Sequence, residues 1–465
     1  MRCFLIFIAF TMIFGCITAV GQSEKIDDYV KAEMAQSHTP GLSVAVVQGG
    51  RTVFARGYGL ANVELSVPAT DNTVYELLSV SKQFTATAIL IMVDEGKILL
   101  DAKLSTYLPD IPSAWADVKV RHLLSHTSGI PDYIRAPGWA QSVRLDRSPA
   151  DLVKSTEPLA LSFQPGEKWE YSNTNYYLLG MIIEKISGKS YAEFLSDRIF
   201  RPLGMNATRV NVYSDIIPNR ASGYHWQQNG LHNAEYISPT QKWAAGAIVS
   251  TVNDLAKWAI AIDAGQPLKP QTSQQMITPV KLNHGEPASY GFGNELEMDH
   301  GHRVAGHQGG GLAFNATILR FPDDKLSVIV LGNLTQAPSR RVARHIASFY
   351  IPAISDEGNR GIPDDDPKLT ETLKGVLTDV AQGKVNPDLF TPQAQNNVIP
   401  FIKNAGPRFL APLGALQSLV LLEQTDQGAN RTRRYRAVFA GGTSLIWTFQ
   451  LTKDGKIISM DPQQQ

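Results

Sequence analysis

Strand patterns stand at both ends of one long region of this 465-residue chain and enclose a stretch of helical patterns. Residues 41–47 form an apolar run that predicts a buried strand, and a Gly49-Gly50 turn connects it to residues 52–55 as a hairpin. Further strand patterns come late, at residues 290–293, 303–305, 316–320 and 326–331. We therefore predict an α+β fold: one antiparallel sheet built from both ends, flanked by helices, with an inserted and mostly helical subdomain. A cleft between the sheet and this subdomain is the expected ligand site.

A stretch rich in glycine, proline and aspartate, residues 356–367, predicts a linker. We place the linker at residues 354–367, after a first domain of residues 22–353. Residues 368–465 begin with a helical pattern, and strand patterns follow at 435–439, 445–451 and 457–460. They predict a separate, small α+β accessory domain.

The N-terminus has the composition of a secretory signal peptide. Arg2 precedes an apolar run from Cys3 to Phe14, and small residues follow up to Gly21. We expect residues 1–21 to be removed and the protein to be periplasmic or secreted. The run is too short for a transmembrane helix, and no later segment is long enough. A lipoprotein signal with Cys16 acylated is the alternative.

Both cysteines of the chain, Cys3 and Cys16, lie inside this signal segment. The mature chain therefore lacks a thiol nucleophile, a zinc–thiolate site and a disulfide framework. Lysine and arginine number 43 and so do aspartate and glutamate, so the net charge is zero. Without a polyelectrolyte field, nucleic acid is not an expected partner.

Ser79 and Lys82 form the only serine-x-x-lysine motif in the chain, at the start of a helical pattern with an apolar face. At i and i+3 the two side chains share one helix face. A lysine amine can take the serine proton when burial lowers its pKa. The spacing alone favours a capping serine beside a solvated lysine, because a chain of this length can carry such a motif by chance.

Two further clusters carry groups suited to acyl transfer. Tyr171 and Asn173 offer a phenol that can relay protons beside an ammonium and an amide that can bind a carbonyl. His307 precedes a run of three glycines, 309–311, whose backbone can approach a ligand closely. One N–H group of this run, paired with that of Ser79, would form an oxyanion hole. Taken alone, the tyrosine cluster also fits an aromatic residue in a loop, and the histidine–glycine cluster also fits a tight hairpin turn with a surface histidine.

The order S-x-x-K, Y-x-N, H-x-G resembles the penicillin-recognising serine hydrolase superfamily. It looks like the branch that holds class C β-lactamases, DD-peptidases, D-aminopeptidases and related esterases. The resemblance covers roughly residues 25–350, leaves out the C-terminal unit, and is supported by segments 79–86, 122–130, 171–176, 202–205 and 246–255.

The resemblance implies a β-lactamase/transpeptidase-like fold and a role for each motif residue. It makes Ser79 the acylated nucleophile, Lys82 its activating partner and Tyr171 the general base or acid. Whether Lys82 or Tyr171 takes the serine proton stays open.

Four further residues are implied in substrate binding. Asn173 would bind the substrate amide, and His307 stands where the β-lactamases carry the lysine of K-T-G. Gly309 completes the H-x-G motif, and Gly310 would supply the second oxyanion N–H.

The expected activity is hydrolysis of an amide or ester bond in a small molecule or peptide, without metal or organic cofactor. Because histidine is mostly neutral where the β-lactamases hold a permanent cation, the H-x-G motif favours a peptide, amide or ester substrate. Two alternatives remain: genuine β-lactam turnover, or a slow penicillin-binding or sensor protein.

Other motifs are weaker. Ser43 imitates a nucleophile elbow but lies inside a strand pattern. His122 with His126, and His300 with His302, lack the further ligands of a zinc site, so no metal is expected. A basic run at residues 431–436 is interpreted as a solvated strand face.

Overall fold

The computed structural model describes residues 21–227, 230–311, 313–355, 361–427, 430–440 and 444–464. The chain divides into two compact units, the first ending at Ile354 and the second beginning at Ser355. Nearly all of the predicted signal peptide, with Cys16, lies outside the described residues, as does the 356–360 part of the predicted linker.

In the described part of the first unit, seven strands form one antiparallel sheet in the order β3-β2-β1-β12-β11-β10-β9. These strands are β1 (Gly41–Gln48), β2 (Arg51–Asn62), β3 (Val67–Pro68), β9 (Glu295–Asp299), β10 (His302–Gly310), β11 (Asn315–Phe321) and β12 (Leu326–Gly332). Strand β1 from the beginning of the unit pairs with β12 from its end, Val44 opposite Val330. The predicted sheet built from both ends is therefore confirmed.

Short strands and helices fill the region between the two halves of the sheet. The short strands are β4 (Tyr75–Glu76), β5 (Arg209–Val210), β6 (Tyr224–Gln227), β7 (Gly230–Asn233) and β8 (Ile248–Ser250). The helices are α2 (Ser81–Asp94), α3 (Val120–Leu124), α4 (Trp139–Ser142), α5 (Pro149–Lys154), α6 (Asn173–Ser187), α7 (Tyr191–Leu195), α8 (Trp243–Gly246), α9 (Val252–Asp263) and α10 (Pro270–Met276). The predicted mostly helical insertion is thus present.

The sheet is covered on both faces. Helix α1, which ends at residue 37, and α11 (Ser339–Ser348) pack on one face, where Val44 and Val46 join Ile346 in a core cluster. Ala45 and Val47 point the other way into the larger core formed with the helical insertion. The alternation follows from the two-residue period of a strand.

Helix α2 runs through that larger core. All twelve of its residues from Ser81 to Met92 are buried, so the prediction of a single apolar face was too narrow. A helix surrounded by protein on every side is the usual location of an all-round apolar pattern. The polar residues of α2, Lys82 among them, are consequently held away from water.

One strand prediction and one alternative interpretation need correction. No strand covers residues 290–293, because Gly293 has φ +72° and its α-carbon packs so closely on α2 that a Cβ would lie 2.8 Å from the Cβ of Ala86. The segment from His307 to Gly310 is not a turn but the last part of β10, paired with Asn315–Ile318 of β11.

The described residues of the second unit form a four-stranded antiparallel sheet and three α-helices around a separate core. The elements are α12 (Pro367–Ala381), α13 (Pro392–Asn397), α14 (Ile399–Leu410), β13 (Leu416–Gln427), β14 (Asn430–Phe439), β15 (Ser444–Thr452) and β16 (Ile457–Gln464). Leu373, Tyr435 and Phe449 lie in that core. Across all described residues, the helices fall short of the length and apolar character that a bilayer crossing requires.

Candidate active site

Ser79 lies in a short 3-10 turn, Leu78–Val80, immediately before α2. Leu78 has φ +50°, a left-handed conformation that costs a non-glycine residue about 1–2 kcal/mol. Such strain persists where the surrounding structure enforces it, often at functional sites. The turn places Ser79 at the wall of a cavity of about 470 Å³ that is also lined by Tyr133, Asn173 and Gly310.

Lys82 reaches Ser79 from the first turn of α2. Its Nζ lies 3.0 Å from Ser79 Oγ, 2.8 Å from Asn173 Oδ1 and 2.8 Å from the carbonyl oxygen of Ala245. The side chain is completely buried. The i, i+3 spacing therefore does bring the two motif residues into hydrogen-bonding distance.

Burial lowers the pKa of Lys82 to about 7, although Asp132 and Glu295 oppose the shift by favouring the ammonium. Removing the solvent penalises the charged form of an amine, and nearby carboxylates recover only part of that loss. A substantial fraction of Lys82 is therefore neutral at neutral pH. In that form it has a lone pair and can accept a proton.

Tyr171 approaches Ser79 from the segment before α6. Its hydroxyl donates a 2.7 Å hydrogen bond to Ser79 Oγ, and the Lys82 ammonium lies 4.8 Å from its ring centroid. Burial raises the pKa of Tyr171 well above 10, and the hydrogen bond to Ser79 offsets this only in part. The phenol therefore stays protonated at neutral pH and is suited to giving a proton rather than taking the first one.

Asn173 begins α6 and lines the cavity. Its Oδ1 accepts from Lys82, and its Nδ2 donates to Asp132 Oδ2 at 2.9 Å. The predicted ligand for a substrate amide is thus also the bridge between the lysine and a buried carboxylate.

His307 is buried, with 1% of its surface exposed, and both ring nitrogens are hydrogen-bonded. Nδ1 donates to the carbonyl of Gln308 at 2.7 Å, and Nε2 accepts from the hydroxyl of Tyr290 at 2.9 Å. Burial lowers the pKa of His307; the Glu295 carboxylate, 3.7 Å from Nδ1, opposes this shift, and the charge of Lys82 adds to it. In this arrangement His307 is neutral and contacts Tyr290 instead of facing the cavity around Ser79.

The glycine run passes close to the nucleophile. A Cβ on Gly309 would lie 2.1 Å from the Leu77 carbonyl oxygen and 3.0 Å from the Ser79 nitrogen, so only glycine lets β10 approach this turn. Gly310 lines the cavity together with Gly311. Both predicted glycines are thus next to Ser79.

Three side chains near the site were missed. Asp132 holds Asn173, Tyr290 holds His307, and the ring of His126 lies 4.3 Å from that of Tyr171. His126 Nδ1 accepts from the Ser172 amide at 3.2 Å, and burial lowers its pKa well below its usual value. For His126, the sequence signal is the family-like segment 122–130, although the spacing of His122 and His126 suggests only a zinc site.

The weaker motifs occupy ordinary structural positions. Ser43 lies inside β1 and bonds to Thr70 and Tyr75. His300 and His302 bond to Asp299 and Asp324. In the described part of the chain, no three histidine, cysteine, aspartate or glutamate side chains gather in a way that could hold a metal ion.

The basic run is not simply solvated. Arg433 is buried and pairs with Asp426 at 2.6 Å, and Arg431 pairs with Asp366 at 3.1 Å. These residues are therefore part of the second unit's own ion-pair network.

Residues 26–350 match the family model described as Beta-lactamase. The chain is 31% identical over 322 residues to Penicillin-binding protein 4* of Bacillus subtilis (strain 168), covering 64% of this chain and 69% of that protein. It is 28% identical to the D-aminopeptidase of Gluconobacter oxydans (strain 621H), covering 70% of this chain and 62% of that protein. The matches thus span about two thirds of the length of these curated relatives.

Solved structures show the same likeness. The octameric penicillin-binding protein homologue from Pyrococcus abyssi aligns with a TM-score of 0.63 at 25% identity, over 95% of this chain and 98% of that one. D-amino acid amidase from Ochrobactrum anthropi SV3 aligns with a TM-score of 0.61 at 25% identity, over 72% of this chain and 98% of that one. The predicted fold is confirmed by this similarity.

The close approach of Gly309 to Leu77 generates a prediction. In Gly309→Ala the added methyl group forces β10 away from the Ser79 turn, and a displacement of this size is expected to slow labelling of Ser79 by a fluorophosphonate about a hundredfold. Gly310→Ala is the matched control, because its Cβ meets nothing nearer than Asn315 Nδ2 at 3.8 Å and should cost much less. Equal labelling rates for the two variants, measured by intact mass, would contradict this prediction.

Proposed function

Because this chain belongs to the Beta-lactamase family, we propose that it is an exported serine hydrolase that cleaves an amide or ester bond through an acyl-enzyme on Ser79. Membership of the penicillin-recognising serine hydrolases makes it a serine hydrolase; the bond class, the nucleophile and the export are the proposal. The observation that carries the proposal is the contact of Ser79 Oγ with both Lys82 Nζ and the Tyr171 hydroxyl.

Acylation begins with neutral Lys82. Ser79 Oγ bonds to the substrate carbonyl carbon while its proton passes to Lys82, and the oxyanion accepts hydrogen bonds from backbone N–H groups of the Ser79 turn and the glycine run. The bond to the leaving nitrogen or oxygen then breaks as Tyr171 gives that atom its proton. Lys82 reprotonates Tyr171, so the net transfer is one proton from Ser79 to the leaving group.

Deacylation uses the same groups in reverse. Water takes the place of the leaving group, its proton passes to the Tyr171–Lys82 pair, and Ser79 recovers a proton when the acyl bond breaks. The products are a carboxylic acid and the free enzyme.

The cavity supports a small-molecule or peptide substrate. Its wall combines apolar side chains such as Trp139 and Phe314 with a charged group in which Glu76 pairs with Lys242 at 2.5 Å. Because His307 is neutral, it offers no cation to bind a carboxylate of the substrate. This favours a peptide, amide or ester that does not depend on such a carboxylate for binding. Small D-amino-acid amides are within this class, and a relative's name, D-aminopeptidase, points the same way.

The first test is intact-protein mass after incubation with a fluorophosphonate. We expect a single adduct on the native protein and none on Ser79→Ala, because Ser79 Oγ lies within hydrogen-bonding distance of both the buried Lys82 amine and the Tyr171 hydroxyl. Ser105→Ala, at an exposed serine outside the cavity, should label like the native protein. A folded native protein that takes up no adduct would count decisively against the proposal and favour a non-catalytic sensor. Chromogenic cephalosporin, p-nitrophenyl ester and D-amino-acid anilide substrates then separate β-lactam turnover from peptidase or esterase action.

The second test uses pH. Since Lys82 acts as a base only when neutral, and its pKa is about 7, the labelling rate should rise with pH through about 7 and then level off. Below pH 7 the labelling rate should fall about tenfold for each pH unit. Deprotonation of Tyr171 should not lower the rate up to pH 9, because the pKa of Tyr171 is raised. Lys82→Arg has no accessible neutral form and should lose the rate at every pH. A profile that is flat from pH 5 to 9 would rule out Lys82 as the base.

The third test concerns export. Expressed with its natural N-terminus in a Gram-negative host, the protein should appear in the periplasm or medium with Gln22 as its first residue. Cys16→Ala should not change this mass. A membrane-bound product that begins at an acylated Cys16 and is lost in Cys16→Ala would establish the lipoprotein alternative instead.

A further inference from the structure

A buried carboxylate stands directly behind the proposed base, and the mechanism above does not use it. Asp132 is 3% exposed. Its Oδ2 accepts from Asn173 Nδ2 at 2.9 Å, and its Oδ1 accepts from the Ile134 amide at 3.3 Å. The first contact links it to Lys82 through a single side chain, since the other end of the Asn173 amide lies 2.8 Å from Lys82 Nζ.

Asp132 decides which way round the Asn173 amide lies. Burial raises the pKa of Asp132, and the hydrogen bonds from Asn173 and Ile134 and the charge of Lys82 act against this shift and favour the ionised form. An ionised carboxylate only accepts hydrogen bonds, so the amide must direct its NH₂ group towards Asp132. The amide oxygen is thereby left facing Lys82. In the reverse orientation the NH₂ group would face Lys82, and an oxygen would face a carboxylate without a proton between them.

That orientation in turn decides where the lone pair of neutral Lys82 points. Two of its three partners, Asn173 Oδ1 and the carbonyl oxygen of Ala245, can only accept hydrogen bonds. They take the two N–H bonds of the neutral amine. The remaining direction, towards Ser79 Oγ at 3.0 Å, is left for the lone pair. A reversed amide would instead donate to the lone pair and compete with the serine proton.

We propose that Asp132 is a positioning residue which, by fixing the orientation of the Asn173 amide, aims the lone pair of Lys82 at the hydroxyl of Ser79. This inference rests on the proposed function, because it assigns a role within the acylation step. Asp132 does not touch the reacting atoms, and it acts only through Asn173 and through its charge.

The charge gives a second readout. The ionisable groups that face Lys82 are the carboxylates Asp132 and Glu295, the neutral rings of His126 and His307, and the phenols of Tyr171 and Tyr176. Among these groups, the two carboxylates are the ones whose negative charge favours its ammonium form. Removing the charge of Asp132 should therefore lower the pKa of Lys82 further, in addition to the shift caused by burial.

Two variants separate orientation from charge. In Asp132→Asn the new amide oxygen can still accept from Asn173 Nδ2, while the weaker 3.3 Å contact with the Ile134 amide is lost, so most of the high-pH labelling rate should be kept. The pH at which the labelling rate falls on acidification should move down by about one unit, because the loss of a nearby opposite charge lowers the pKa of Lys82. In Asp132→Ala the NH₂ group of Asn173 loses its acceptor, so the amide can turn over although Lys82 still contacts its other end, and the labelling rate should fall about tenfold even at high pH. Asp117→Asn, at an exposed carboxylate paired with Lys103, is the control for a general charge effect.

A double-mutant cycle tests the route of action. If Asp132 works through Asn173, Asp132→Ala should change the labelling rate of an Asn173→Ala protein by less than about twofold at pH 9, where Lys82 is neutral with or without the charge of Asp132. A tenfold loss of labelling rate in both the native and the Asn173→Ala protein would overturn the inference. So would an Asp132→Asn protein whose labelling rate falls at the same low pH as that of the native protein. Thermal unfolding by circular dichroism identifies variants that fail to fold, and Asp132→Asn keeps the test available if Asp132→Ala is one of them.

A titration without turnover keeps this inference separate from the proposed function. The ¹³Cε signals of labelled lysines are followed against pH, and Lys82 is assigned by its absence from Lys82→Arg. We expect Lys82 to titrate near 7 in the native protein and about one unit lower in Asp132→Asn. The same midpoint in both would overturn the inference whether or not Ser79 reacts, whereas absence of labelling at Ser79 would overturn the proposed function alone.

Discussion

The structure depends on one amine that has no access to water. Burying a lysine is costly unless hydrogen bonds replace its solvent, and Lys82 finds those partners in three separate parts of the fold. Ser79 comes from the turn before α2, Asn173 from the start of α6, and the Ala245 carbonyl from α8. Because all three must converge on one nitrogen, the helical insertion has to sit in one register on α2, and the burial of α2 from Ser81 to Met92 keeps it there.

The same burial gives the proposed base, Lys82, and the proposed acid, Tyr171, different protonation behaviour. It lowers the pKa of an amine and raises that of a phenol, so one apolar enclosure moves Lys82 and Tyr171 in opposite directions. The enclosure is aromatic: Lys82 Nζ lies 4.8 Å and 5.4 Å from the ring centroids of Tyr171 and Tyr176, and His126 packs against both rings. The ring faces attract the ammonium and soften the cost of its burial without fixing its charge. In the proposed mechanism this environment, rather than residue type, is the reason for assigning the serine proton to Lys82 and not to Tyr171.

The sequence could predict what local spacing and strand periodicity determine. The i, i+3 placement of Ser79 and Lys82, the hairpin of β1 and β2, and the late strands β10 to β12 all follow from patterns a few residues long. It could not predict contacts between distant residues, such as Asp132 with Asn173, 41 positions apart, or Tyr290 with His307. Nor could it show the left-handed Leu78, since leucine gives no hint of positive φ. The prediction of a strand at residues 290–293 was wrong because Gly293 adopts a positive φ and packs closely against α2. This tertiary contact overrides the local strand preference.

The histidine of H-x-G fits this electrostatic arrangement in a way that a lysine would not. A permanent ammonium in the place of His307 would be a second buried cation, and like charges lower each other's pKa. Even as a neutral ring, His307 satisfies its two nitrogens internally, on Gln308 and Tyr290, and needs no solvent. With a neutral group there, the charges that act on Lys82 are those of Asp132 and Glu295, and both raise its pKa against the effect of burial. In the proposed hydrolase, a substrate carboxylate then has no cationic partner at His307, and selectivity is expected from the cavity wall, whose charged residues include Glu76, Lys242 and Arg220.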